Sequence, residues 1–175
     1  APEDGVHAIQ VAAAAVANLP SGRWGDVTVN VGTISGGRAT NIVPDSCTVT
    51  GEIRALCHQD ALDRLNEIHS EFVEQAQAVD AKLNFNHTIH ITGYRVDTDA
   101  PVAQRFKRAC EAVGVAPRFT DTYGGSDCNI LSAHGIQGLV VATAMNNCHA
   151  VSEYTTVEEL CRAGRLAQAL MEKQD

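Results

Sequence analysis

Apolar residues in the first 93 positions recur every three to four residues, then every second residue, then return to the longer period, and this alternation dictates a mixed order of helices and strands. Val6, Ile9, Ala13 and Val16 have helical spacing, with Asp4 as a cap and the run from Asn18 to Gly22 as the stop. Val27, Val29 and Val31 alternate with Thr28, Asn30 and Gly32, and Ser35 to Gly37 supplies a reversing turn. Cys47, Val49, Gly51, Ile53 and Ala55 then share one face of a strand, with Thr48, Thr50, Glu52 and Arg54 on the other. Leu62, Leu65, Phe72, Ala76 and Val79 stripe a long helix, after which Leu83, Phe85, His87, Ile89 and Ile91 alternate once more. Helix, strand, strand, helix, strand is the order of a split β-α-β-β-α-β unit, a ferredoxin-like α+β arrangement, without its first strand.

Beyond a boundary between Gly93 and Asp97 the pattern changes. Asp99 is a candidate cap for a helix with Pro101 in its first turn and Val102, Phe106, Cys110 and Val113 as its buried stripe, closed by Gly114. A short strand is expected around Arg118 to Thr120, and a buried one from Gly135 to Thr143. Thr156 and Glu159 have capping-box spacing and open a last helix expected to face Leu160, Ala163, Ala167 and Leu170 inward. Helices alternating with strands indicate a layered α/β piece, too small for a complete doubly wound sheet.

Candidate chemistry concentrates in this second half. Gly124, Gly125 and Ser126 open a short helix, an arrangement that exposes backbone N–H groups to an anion such as a carboxylate, with Asp127 read as the helix cap. The apolar run from Gly135 delivers a polar loop, Met145 to His149, to the end at which open α/β sheets hold ligands. Four residues after His149 stands Glu153, so the two are either a site or a surface pair. In the first half, the guanidinium fork of Arg54 suits a carboxylate, or pairs with Glu52 or a neighbouring strand. His58, His69, His87, His90 and His134 match no zinc-ligand spacing, and His7, in the first turn of the first helix, reads as a surface or packing histidine rather than a ligand.

Net charge is −8 and the thirteen Lys and Arg residues are scattered, so nucleic acid is not an expected partner. No apolar run approaches the roughly 18 residues of a membrane span. Six cysteines never form a C-x-x-C pair, which fits reduced thiols in a cytoplasmic protein.

Gly124 to Ile136, then Cys148 to Glu153, then Val157 to Leu160, resemble the carboxyl-terminal signature of the M20 zinc peptidases, especially the peptidase T-like, tripeptidase branch. Pro2 to Ile9, Gly36 to Pro44 and Gly51 to Arg54 resemble the inserted dimerisation, or lid, domain of the same family. The resemblance implies a lid domain over residues 1–94, first strand missing, and the carboxyl-terminal part of a catalytic domain over 95–175. It implies two zinc ions in the complete enzyme, of which His149 would hold one, with Glu153 orienting the His149 loop. Asn41 and Arg54 would grip the carboxylate of a small peptide substrate, with Gly125 and Ser126 adding donors.

The family's other metal ligands and its general-base Glu precede the lid. The resemblance thus implies a missing amino-terminal catalytic segment, a chain inactive alone, and a homodimer formed through the lid's edge strand and long helix. Two alternatives stay open: another M20 amidohydrolase, such as an aminoacylase, deacetylase or carboxypeptidase, or a non-catalytic dimerisation or binding module.

Overall fold

Alternation of branched residues makes the first sheet, and a computed structural model, which describes residues 1–20, 22–142 and 144–172, shows how it is built. Strand β2, Val27–Gly36, pairs antiparallel with β1, Gly22–Trp24, on one side and with β3, Cys47–Ala55, on the other. Two helices belong with this sheet, α1 at Ala8–Asn18 and the 20-residue α2 at His58–Gln77. Val27, Val29 and Ile68 are the buried centre, and Leu19, Ile53, Ala55, Phe72 and Phe85 pack around them.

Register between β2 and β3 shifts after Val31, where a bulge lets Gly32 go unpaired. Across from that bulge the backbones nearly touch, because a Cβ on Gly51 would stand 2.6 Å from the Asn30 carbonyl oxygen. Glycine is required there for space rather than for conformation.

The chain divides into two compact units, Ala1–Gly93 and a second that begins at Tyr94. The second holds α3 at Pro101–Ala112, the short α4 at Asp127–Ala133 and α5 at Val157–Met171, with α3 against α5. Ala103, Ala109 and Cys110 are its buried residues on α3, and burial raises the Cys110 thiol pKa. The Arg105 guanidinium donates to the carbonyls of Leu170 and Glu172, satisfying acceptors that the end of α5 would otherwise leave open.

Several expectations need correction. The alternating segment 83–91 carries no ladder, although Phe85 reaches the core; β3 is paired only to β2, so among the described residues neither that segment nor the outer edge of β3 has a strand beside it. The stretches at 118–120 and 135–142 form no strand for the same reason, and Ile136 and Val140 are more than half exposed. Thr143, the expected end of that run, lies outside the described residues.

Helix starts also moved. Asp4 sits in a 3₁₀ turn, Pro2–Asp4, and His7 precedes α1; Ala100 rather than Asp99 precedes α3. Ala12 and Ala15 are the buried residues of α1, while Ala13 is exposed, and Val79 falls beyond the end of α2 and is exposed. On α5 the expected inward residues Leu160 and Ala167 are exposed, while Ala163, Leu166 and Leu170 are half-buried.

Replacement Gly51→Ala is expected to destabilise the first unit by about 1–3 kcal/mol through backbone displacement. Urea unfolding followed by tryptophan fluorescence of Trp24 measures it, and a change within error would mean that β2 and β3 separate there at no cost.

Candidate functional site

Left-handed backbone concentrates in one loop of the second unit. Ala144, Asn147 and His149 have φ of 60°, 53° and 67°, a region that costs a side-chain-bearing residue roughly 1–2 kcal/mol and that Asn tolerates best. Hydrogen bonds hold the loop against that cost. Asn146 and Tyr154 exchange backbone bonds of 2.9 and 3.1 Å at its base, and Ala150 N–H donates to Asn147 O at 3.1 Å across the tip. Glu153 closes the turn, its carboxylate accepting the backbone N–H of His149 at 2.9 Å. His149 itself is exposed, and no hydrogen bond joins its ring to another described residue.

Where α5 begins, a capping box forms as the Thr156 and Glu159 spacing predicts. Glu159 N–H donates to the Thr156 hydroxyl at 3.2 Å, and the Glu159 carboxylate accepts from the Thr156 N–H at 3.2 Å and from its hydroxyl at 2.9 Å. The same carboxylate oxygen accepts the Asn146 side-chain amide at 3.1 Å. Hydrogen bonding from the Thr156 hydroxyl, more than any other contact, pulls the Glu159 carboxyl below the ordinary glutamate range.

The glycine-rich loop is less open than its composition implies. Ser126, not Asp127, caps α4, in a reciprocal box with Asn129 whose side chain accepts the Ser126 N–H at 2.9 Å. Gly124 N–H donates to the Thr122 hydroxyl at 3.1 Å. Two of the three amides from Gly124 to Ser126 are therefore satisfied internally. Asp127 becomes the first helical residue, where a carboxylate still complements the helix dipole. Tyr94 joins this cluster, bonded to Ser126 and Cys128, and burial followed by the neighbouring Cys128 raises its phenol pKa.

Asn41 and Arg54 lie in the first unit, Gly125, Ser126, His149 and Glu153 in the second. Asn41 is exposed in the connection between β2 and β3. Arg54 is committed to Glu52 by bonds of 2.9 and 3.1 Å on the exposed face of β3, the pairing that stood as the alternative to a carboxylate ligand. Tyr94 and Asn146 escaped the sequence reading; no spacing rule links Asn146 to Glu159, thirteen positions away.

An exposed imidazole on a tethered loop has the donor chemistry of one metal ligand. Among the described residues, however, no three His, Cys, Asp or Glu side chains come together to hold an ion. His149 alone therefore fits as a contributor to a centre and not as the whole of one.

Residues 1–80 match the family model of the M20 peptidase dimerisation domain. A YqjE protein of Bacillus subtilis is 27% identical over 173 residues, which are 98% of this chain and 47% of that protein. Among solved structures, the aminopeptidase PepT of Bacillus cereus is 31% identical with a TM-score of 0.84, over 97% of this chain and 46% of that one. A tripeptidase of Staphylococcus aureus superposes with a TM-score of 0.89 at 22% identity over the same shares. Bacillus subtilis YxeP, a dinuclear metal-binding M20 peptidase, does so at 0.73 with 16% identity, over 94% and 45% of the two chains. The chain belongs to the M20 peptidase family. Within that family it is peptidase T-like, and it spans about half the length of the relatives it matches.

Thr156→Val removes the hydroxyl that most lowers the Glu159 pKa, so its titration midpoint rises toward the ordinary glutamate value. A group with a depressed native pKa adds stability above its unfolded pKa and loses it as pH falls through the native one. The wild-type capping box thus persists to lower pH than that of the variant. Carbon-detected NMR titration of the Glu159 side chain reads both midpoints; identical values would remove Thr156 as the cause.

Proposed function

We propose that this chain is the lid domain and carboxyl-terminal catalytic part of a zinc-dependent peptidase that releases amino-terminal residues from short peptides. The observation that carries the reading is His149, an exposed imidazole on a loop whose backbone is fixed by Glu153, in a chain of the M20 family. Likeness to PepT over 97% of this chain supports the aminopeptidase reading.

In this reading His149 is the last ligand of a two-zinc centre, and its other ligands and the general base lie in polypeptide outside these residues. Bound zinc would supply a water of lowered pKa and polarise the scissile carbonyl. This chain's own residues bind and orient. In the second unit His149 presents a ring nitrogen, Glu153 holds its backbone, and Gly125 and Ser126 supply donors for a substrate carboxylate; in the first unit Asn41 and Arg54 are the carboxylate-binding residues of the same reading. For Arg54 to bind a carboxylate, its fork must leave Glu52, an exchange between exposed partners that costs little.

Exposed apolar side chains on the second unit support the need for further polypeptide. Ile136, Val140, Val157 and Leu160 are each more than half exposed, which is unusual in a finished core. The chain alone is accordingly inactive. Homodimerisation would use the β1 edge and α2, where Arg64 stacks over the half-exposed ring of Trp24 at 5.3 Å. Six free thiols accord with a cytoplasmic setting.

Tripeptide hydrolysis by the intact protein, its loss to a chelator and its return with zinc test the reading. His149→Ala should lower kcat/KM by a factor of about 10³ or more while leaving the dimer intact in sedimentation. Undiminished hydrolysis in that variant, or deacylation of N-acyl amino acids with no tripeptide turnover, would overturn it.

A further inference from the structure

Asn146 stands at the base of the His149 loop, and its backbone is paired to Tyr154 so that the two strands of the loop's neck are closed at that residue. Its side chain has a different partner. The amide reaches across to the Glu159 carboxylate at 3.1 Å, and that carboxylate is immobilised by both the N–H and the hydroxyl of Thr156 in the first turn of α5. One oxygen therefore receives three donors, two from the start of the helix and one from the neck of the loop. The helix is 15 residues long and is anchored at its far end by Arg105, so it is the stiffest object near the loop.

Helix capping alone needs only Thr156 and Glu159, so the bond to Asn146 is surplus to it. The loop, in contrast, has a specific need. Three of its residues hold left-handed backbone, and the bond from Glu153 fixes the tip without fixing the neck. Freed at the neck, the loop would swing as a unit and carry the imidazole with it. A metal ligand displaced by a fraction of an ångström loses much of its affinity, which is why partners that orient ligands matter nearly as much as the ligands.

We propose that Glu159 is a positioning residue for His149, acting through the Asn146 side chain to lock the neck of the loop to the start of α5. The inference rests on the reading of His149 as a metal ligand for its functional consequence, but not for the mechanical link itself.

The test has two readouts in the intact protein. Hydrogen exchange in the metal-free state reports the link: Asn146→Ala should speed exchange of the His149 and Tyr154 amides roughly tenfold, the effect of losing about one hydrogen bond, with α5 amides unchanged. Glu159→Ala should loosen the loop similarly, and Glu159→Gln, which keeps an acceptor oxygen, should restore most of the protection. Thr156→Val, which weakens the cap but leaves the bond from Asn146, should spare the loop. Unchanged loop exchange in Asn146→Ala, or equal loosening by Thr156→Val, would overturn the proposal. Zinc affinity, measured by chelator competition, is the second readout. Asn146→Ala should weaken it about tenfold, and no weakening alongside a loosened loop would refute the positioning role. His149→Ala serves as the control on the ligand reading: zinc affinity unchanged by that variant would remove the ligand, while the exchange results would still decide the link.

Discussion

The carboxylate of Glu159 joins two pieces of backbone, the neck of the 144–154 loop and the first turn of α5. Around it the second unit shows a consistent logic. Left-handed residues give the loop its tight reversal and aim an imidazole outward, and that conformation is unfavourable for His and Ala by an amount comparable to one or two hydrogen bonds. Bonds from the Glu153 side chain, the Asn146–Tyr154 pair and Glu159 offset it. With no fully buried side chain among its described residues, the loop relies on these bonds, and on those from Ala150 to Asn147 and from Glu153 to Ala150, to hold His149 in place.

The first unit obeys a different constraint, set by backbone ladders. β2 is satisfied on both sides and supplies the buried Val27 and Val29, so the core forms over it. Among the described residues β3 pairs as a strand only with β2, and the strand-like sequence at 83–91 contributes Phe85 to the core without forming a ladder. Side-chain burial and ladder formation are separable, since a ring can reach the core from a segment that forms no ladder. A strand with a neighbour on one side only is the kind of edge that proteins usually cover or disrupt.

Legibility of the sequence followed locality. Helices α1, α2, α3 and α5 and strands β2 and β3 were visible because their signals are periodic over a few turns or residues. Thr156 and Glu159 were visible because a capping box is a spacing rule. Strands at 83–91, 118–120 and 135–142 were misread because alternation or apolarity states a capacity to pair and says nothing of whether a partner is present. Asp127 was read as the cap, whereas the structure uses Ser126, whose third successor, Asn129, can reciprocate. The inward face of α5 was misjudged at Leu160 and Ala167 because an apolar residue on a helix is directed inward only if something is packed there. His149 stood out by its place in a polar loop after an apolar run, and became a metal-ligand candidate through family likeness; its spacing to Glu153 alone favoured a surface pair.

Glu153 and Glu159 together show how two carboxylates, six positions apart, divide one task without either touching the imidazole through the described bonds. Glu153 acts on the amide of the residue itself and so sets the local φ at His149. Glu159 acts on the neck and so sets the direction of the whole reversal relative to α5. The two degrees of freedom are independent, because a loop can keep its internal geometry while swinging, or keep its base while its tip relaxes. On the reading of His149 as a metal ligand, the ring would need both held within a few tenths of an ångström. Exposed loops are commonly mobile, whereas this one is bonded at its tip, at its neck and to the adjoining helix, as that reading requires.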